Sequence, residues 1–229
     1  MRESIVIKLS GHLLFSELDY ENIKKYADVV KNIFNEGYRV SVIVGGGKKA
    51  REYINVAMKF GINNFERDII GITLTHVNAS LLSYAIGDLA FKPIPKTLSE
   101  LIESFKYLDE KILVLGGLIP GQSTIAVAAL VAEAIKAKLI IYATTVDGIY
   151  TADPKIHPNA KLIKQINVKE LIKLMCEMKA EAGTYKLFDM VALKIIERSK
   201  IPVRVINGYN VDNIVKAVHG EDIGSLVIY

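Results

Sequence analysis

Three short segments carry residue types that could handle a phosphorylated ligand. The first is Gly45-Gly46-Gly47-Lys48-Lys49-Ala50-Arg51. Glycines between a strand and a helix let phosphate oxygens approach the backbone N–H groups at the helix N-terminus, where the peptide dipoles favour negative charge. Arg51, one turn into that helix, adds a guanidinium fork that matches two phosphate oxygens. A merely flexible turn would need one glycine rather than three. The run fits neither G-x-G-x-x-G nor G-x-x-x-x-G-K-[ST], so a nucleotide site here belongs to a different phosphate-binding architecture.

The second segment is Ile5-Val6-Ile7-Lys8-Leu9, which runs directly into Ser10-Gly11. A lysine inside a core strand is costly unless its ammonium has an anionic partner. On an edge strand the same side chain would simply reach water, and the segment alone leaves the two readings even. At the carboxyl end of a first strand, the ammonium could reach phosphates held over the glycine turns and neutralise charge during phosphoryl transfer. The third segment, Thr144 to Pro154, offers hydroxyls, two carboxylates and an aromatic ring. Tyr150 could pack on a nucleobase, and Asp147 could orient a lysine or hold a metal-bound phosphate. Asp-Gly and Asp-Pro are also ordinary turn dipeptides, and composition leaves both readings open.

Other chemistries find less support. His76, His157 and His219 have no metal-ligand spacing with each other or with cysteine, and no G-x-S-x-G nucleophile elbow occurs. Cys176 is the only cysteine, which excludes an internal disulfide and suits a reducing compartment. Its neighbours Leu171, Ile172, Leu174 and Met175 predict a buried apolar thiol rather than a nucleophile. The net charge of +4 over 229 residues comes from scattered basic residues, so an anionic ligand is permitted but no nucleic-acid surface is expected. Glu3 and Lys8 interrupt the first apolar run, so no signal peptide is expected. Glu133, Lys136 and Lys138 break the most hydrophobic segment, Ile125 to Val146, so no membrane span is expected. A cytoplasmic protein follows as the expectation.

The elements that must position these residues alternate along the chain. Strands are predicted at Ser4–Leu9, Arg39–Val44, Lys111–Leu115, Lys138–Ala143, Val203–Ile206 and Ser225–Ile228. Helices are predicted at Tyr20–Glu36, with Gly37 as a left-handed cap, and at Lys48–Lys59 and Phe65–Gly87. A further helix opens on the capping box Thr97-Leu98-Ser99-Glu100. Others run over Ser123–Lys136 and Val211–Val218, and two more start near Asn167 and Thr184. The polar stretch from Thr144 to Lys164 has no clear period and is too long for a mere connection. Continuous Val/Ile/Leu strands separated by helices imply a mostly parallel sheet covered on both faces, an α/β fold without linker or repeat. Ligands bind beyond the carboxyl ends of such strands. Ser10-Gly11, Gly45-Gly46-Gly47 and Gly116-Gly117 all lie at that end.

Taken together, Lys8-Leu9-Ser10-Gly11, Val44-Gly45-Gly46-Gly47 with Arg51, Pro120-Gly121-Gln122-Ser123-Thr124 with Ala126-Val127-Ala128-Ala129, and Thr144 to Pro154 resemble, in order and spacing, the amino acid kinase superfamily. The similarity runs nearly end to end, through Glu181-Ala182-Gly183-Thr184-Tyr185 and Asp189. Arg67-Asp68-Ile69-Ile70-Gly71-Ile72-Thr73, followed by Thr75 and Asn78, resembles the acceptor-nucleotide helix of its archaeal-type uridylate kinases.

The resemblance implies a three-layer α/β/α sandwich and direct in-line transfer of the γ-phosphoryl group of ATP to UMP, in pyrimidine nucleotide biosynthesis. It implies one domain over 1–229, with about 1–137 mainly the acceptor site and about 138–229 mainly the ATP site. Lys8 would stabilise the transferring group, and Asp147 would organise the catalytic lysine. Gly11, His12, Gly47, Arg51, Thr144, Tyr150 and Asp153 would bind ATP. Gly46, Arg51, Asp68, Leu118, Ile119, Pro120, Gly121, Gln122, Ser123 and Thr124 would bind UMP, with Asp68 on the ribose hydroxyls and Thr124 on the phosphate. Thr145 stands where many relatives carry lysine or asparagine, and Lys48, Lys155 and Lys161 are the candidates for a second catalytic lysine. Mg²⁺ is expected on the ATP phosphates rather than on protein ligands, and a homohexamer built from dimers is implied. Alternative acceptors within the superfamily are isopentenyl phosphate or an amino acid. A nucleotide-binding or storage protein without catalysis is the remaining alternative.

Overall fold

The computed structural model describes residues 2–154, 156–180 and 187–229. Its centre is a seven-stranded sheet in the order β3-β2-β1-β4-β8-β9-β7. The strands are β1 (Ser4–Leu9), β2 (Arg39–Val44), β3 (Leu113–Leu115), β4 (Leu139–Thr144), β7 (Gln165–Asn167), β8 (Val203–Asn207) and β9 (Ser225–Ile228). Two further short strands, β5 (Ile149–Tyr150) and β6 (Leu162–Ile163), form a separate antiparallel pair. In the main sheet only β9 runs antiparallel to its neighbour β8, while it pairs parallel with β7. β1 lies inside the sheet, parallel to β2 and β4, with Lys8 opposite Ile43 on one side and Tyr142 on the other.

Side chains alternate across each strand, and this divides the core in two. Ile5, Ile7 and Leu9 face one apolar layer, which also holds Val30, Ala79, Leu82 and Ile214. These come from α2 (Tyr20–Asn35), α4 (Asn64–Ile86) and α9 (Asp212–Val218). Val6 faces the opposite layer with Val127, Leu171 and Leu193. Those come from α6 (Thr124–Ala134), α7 (Val168–Ala180) and α8 (Met190–Ser199). Helices on both faces of a mostly parallel sheet make the three-layer α/β/α sandwich expected from the strand pattern. Three shorter or peripheral helices complete it: α1 (Gly11–Leu14), α3 (Gly47–Lys59) and α5 (Leu98–Ser104).

Local signals set most element ends. Asp19 caps α2 by accepting from Glu21 N and Asn22 N, and Gly37 follows that helix at φ 99°. Thr97 and Glu100 form the capping box expected for α5, and Asn63 and Glu66 form a second one at α4. By length and mean hydropathy, α4 with the turn after it would suffice to cross a bilayer. Here one side of it, with Thr75, Asn78, Ala79, Leu82, Ser83 and Ile86, is buried against its neighbours. Phe65, Ile69, Val77, Leu81 and Tyr84 stay exposed on the other.

The structure departs from the sequence reading in four places. The aperiodic stretch from Thr144 to Lys164 contains the β5–β6 pair, whose strands of two residues are too short to leave a period. Gln165–Asn167 forms the edge strand β7, which its polar ends concealed. The helix expected from Thr184 begins at Met190, capped by Asp189, and Thr184 itself lies outside the described residues. Cys176 is exposed, not buried. On α7 the buried positions among the described side chains are Val168, Leu171 and Met175, and Cys176 is rotated about 100° from Met175, onto the solvent side.

Lys200 caps α8 in the left-handed conformation, φ 54° and ψ 38°, which disfavours any side chain with a Cβ. Lys200→Gly is expected to raise unfolding stability by up to about 1 kcal/mol. Denaturant melts of the two proteins check this, and a loss of stability would show that the Lys200 side chain makes a contact of larger value.

Candidate active site

The carboxyl ends of β1, β2 and β4 open onto a pocket of about 300 Å³. Its floor is built by glycines in close contact. A Cβ on Gly11 would lie 2.3 Å from both Gly45 O and Gly47 N, so the turn after β1 and the turn after β2 touch backbone to backbone. Gly47 adopts φ 70°, which bends the chain straight from β2 into α3. Gly46 occupies the N-cap of α3, and no side chain caps that helix. The first-turn N–H groups, which a helix cannot satisfy internally, are thereby left for a ligand.

Four side chains of α4 fasten the surrounding loops. Asn78 Nδ2 donates to Gly45 O at 3.0 Å and to Gly46 O at 3.1 Å. Thr75 Oγ1 accepts from Gly117 N at 2.7 Å and donates to Ile72 O at 2.6 Å. Asp68 Oδ2 accepts from Gly121 N at 2.7 Å, which ties the loop before α6 to the start of α4. His76 Nε2 lies 2.7 Å from Gly117 O and so carries the proton there. Burial lowers the His76 pKa, which keeps the ring neutral at pH 7.

Lys8 stands in the wall of this pocket and is 6% exposed. Its strand is interior, so the core reading of the sequence holds and the edge reading fails. Among the described residues no carboxylate pairs with it. Its Nζ instead sits 4.3 Å from the ring centroid of Tyr142, its cross-strand neighbour on β4. Burial lowers the Lys8 pKa to about 7, because desolvation disfavours the ammonium. Phosphate oxygens in this pocket would favour the charged form again.

Of the residues singled out in the sequence, Lys8, Gly11, His12, Gly46, Gly47, Arg51, Asp68, Gln122 and Thr124 line this one pocket. Gln122 Oε1 is buried there and has no hydrogen-bond partner among the described residues. Leu118, Ile119, Pro120, Gly121 and Ser123 belong to the loop held by Asp68, and Ser123 Oγ also caps α6 by accepting from Ala126 N at 3.3 Å. Thr144 ends β4, Tyr150 ends β5, and Asp147 and Asp153 lie in the loops beside these ends. Asp147 accepts from Asn207 Nδ2 at 2.8 Å and from Tyr150 Oη at 3.1 Å, and makes no ion pair with Lys8. Burial, helped by Asp147, raises the Tyr150 pKa. The Asp153 backbone carbonyl accepts from Ile156 N and His157 N. Lys48 and Lys161 are exposed and do not line the pocket, and Lys155 lies outside the described residues.

Two residues of the site escaped the sequence reading. Tyr142 reads as one more apolar position in a buried strand, and only the β1–β4 register reveals that it lies beside Lys8. Asn207 ends β8 directly before Gly208. That polar residue at the carboxyl end of a core strand was the available signal for the partner of Asp147.

Residues 3–207 match the amino acid kinase family. The chain is 43% identical over 224 residues to the uridylate kinase of Sulfurisphaera tokodaii, covering 97% of this chain and 98% of the relative. It is 44% identical over 223 residues to the uridylate kinase of Hyperthermus butylicus, with 97% of each covered. The solved uridylate kinase of Archaeoglobus fulgidus superposes with a TM-score of 0.85 at 39% identity, over 97% of this chain and 99% of that one. A UMP kinase structure from Bacillus anthracis, at 22% identity and a TM-score of 0.81, shares the fold. With glycine turns meeting under a buried lysine, and with this similarity along nearly its whole length, the chain belongs to the amino acid kinase family.

Proposed function

We propose that the chain transfers the γ-phosphoryl group of ATP to UMP, giving ADP and UDP, in pyrimidine nucleotide biosynthesis. The observation that carries this reading is Lys8, buried without a carboxylate partner beside the two glycine turns that meet after β1 and β2, in a chain whose full-length relatives bear the name uridylate kinase. A phosphate oxygen of UMP attacks the γ-phosphorus while the bond to the β–γ bridging oxygen of ATP breaks, so ADP leaves without a covalent enzyme intermediate. Lys8 offsets the charge on the equatorial oxygens, and the uncapped N–H groups of α3 hold phosphate oxygens in line. Arg51, one turn along, reaches the same anionic cluster.

On the acceptor side, Asp68 would receive the ribose hydroxyls and Thr124 the phosphate, and the unpartnered Gln122 Oε1 offers an acceptor to the imide N–H of uracil. On the donor side, Thr144, Tyr150 and Asp153 would contact ATP. Asp147, fixed by Asn207, would orient the charged groups there. The split between acceptor and donor sites follows the two parts of the domain, about 1–137 and about 138–229. Mg²⁺ supplies neutralising charge to the ATP phosphates. The ATP phosphates and water would hold the ion, because Mg²⁺ keeps several waters and is bound mainly through substrate phosphates. The exposed Tyr53, Phe60, Phe65 and Ile69 of α3, α4 and the turn between them supply apolar surface for the homohexamer of dimers, in the cytoplasm.

A coupled assay with ATP, Mg²⁺ and a panel of UMP, dUMP, CMP and isopentenyl phosphate is expected to give the highest kcat/KM with UMP. In the same assay Lys8→Ala should remain folded and lose roughly 10²–10³ in kcat. Near-normal turnover in that folded variant would remove Lys8 from the mechanism.

Asp68→Ala is expected to raise the KM for UMP roughly ten- to a hundred-fold, leave that for ATP almost unchanged and narrow the preference for UMP over dUMP. Arg51→Ala should weaken UMP and dUMP alike, because both carry the same phosphate. An unchanged UMP-over-dUMP ratio in Asp68→Ala would reassign Asp68 to loop anchoring through Gly121 alone.

A further inference from the structure

Lys8 presents a physical problem that its role in phosphoryl transfer does not solve. An ammonium almost removed from water normally needs a carboxylate, and among the described residues none is paired with it. A carboxylate would also be a poor partner in this place, since it would cancel part of the field that Lys8 offers to phosphate and would itself repel the phosphate. What does face the ammonium is the ring of Tyr142, with Nζ 4.3 Å from the centroid.

That ring is itself held on two sides. Phe188 meets it edge-on, with centroids 5.7 Å apart and planes at 90°. Thr144, two residues along the same strand and on the same face, lies beside the Tyr142 hydroxyl. The β1–β4 register places Tyr142 directly across from Lys8, so side chain and ring share one face of the sheet. The electron-rich face of an aromatic ring attracts a cation without carrying a net charge of its own. It therefore steadies the ammonium while leaving its charge undiminished toward the pocket.

We propose that Tyr142 is a positioning residue for Lys8, a neutral counterpart whose ring face holds the ammonium against the glycine-lined pocket. This rests on the phosphoryl-transfer reading above. The other charged or titratable side chains that line the pocket are His12, Arg51 and Asp68, and the Asp189 carboxylate also acts electrostatically on Tyr142.

Ring removal in Tyr142→Leu is expected to lower kcat about 10- to 30-fold while the KM values for ATP and UMP change little. Tyr142→Phe keeps the ring and should restore most of the turnover. Because Tyr142 packs on Phe188, the leucine variant can fail to fold. The decisive series therefore incorporates 4-fluoro-, 3,5-difluoro- and 3,4,5-trifluorophenylalanine at position 142, which drain the ring face at nearly constant shape. Stepwise loss of kcat with each fluorine is the expected result, and full kcat in the trifluoro protein overturns the proposal. Competitive acetylation of Lys8 against pH, in ligand-free protein, gives a reading independent of the substrate. Its midpoint should move down by about one unit in the trifluoro protein, because a weaker ring face favours the neutral amine. An unmoved midpoint also overturns the proposal. Should wild-type protein fail to phosphorylate UMP, the functional reading falls, while the midpoint still tests the Lys8–Tyr142 contact.

Discussion

Burying the Lys8 ammonium at the end of an interior strand is the constraint to which the rest of the site answers. Desolvation disfavours the charged form, and an isolated charge in a dry core would be intolerable without compensation. The molecule meets this cost with the face of Tyr142 and with a pKa displaced to about 7, rather than with an ion pair. Unfolded, the same lysine holds its proton up to the ordinary lysine range, so between these limits the unfolded chain binds more protons than the folded one. Lys8 therefore makes the ligand-free fold more stable as pH rises from about 7 toward 10.5, and weakest where it is charged. A phosphate bound beside Lys8 would reverse that balance and couple stability to ligand binding.

The glycine turns serve the same end by geometry. Gly11, Gly45 and Gly47 approach more closely than any Cβ allows, so phosphate oxygens can come near backbone donors at the foot of α3. Such turns would be loose on their own. α4 removes the slack: Asn78 holds two glycine carbonyls, Thr75 holds Gly117, and Asp68 holds Gly121. One helix thus sets the relative position of the phosphate cradle after β2 and the loop leading into α6. The Asp68 carboxylate thus both anchors that loop and faces the pocket.

Residue types and spacing made the scaffold legible, because β1, β2 and β4 are apolar without interruption and the interior strands of a parallel sheet must be so. The capping box at Thr97 and the left-handed Gly37 were legible for the same reason, since each is a local solution to a local problem. What depends on register was not. The chain alone left Lys8 between core and edge, because the choice depends on which strands lie beside it. Tyr142 and Asn207 acquire their roles only when β1, β4 and β8 are laid side by side. The apolar neighbours of Cys176 in sequence are not its neighbours in space. One step along a helix turns a side chain about 100° away from the core. The β5–β6 pair was missed because two residues per strand give no period to detect.

Lys8 should be partly uncharged in ligand-free protein and recharged by phosphates. Selective ¹⁵N labelling of lysine, with the Lys8 Nζ resonance assigned by Lys8→Arg, allows its titration to be followed directly. In ligand-free protein the midpoint should lie near 7. With UMP and a non-hydrolysable ATP analogue bound, it should rise by more than about one unit, since nearby negative charge favours the ammonium. An ordinary lysine midpoint in the free protein, or one that both nucleotides leave unmoved, would contradict the account.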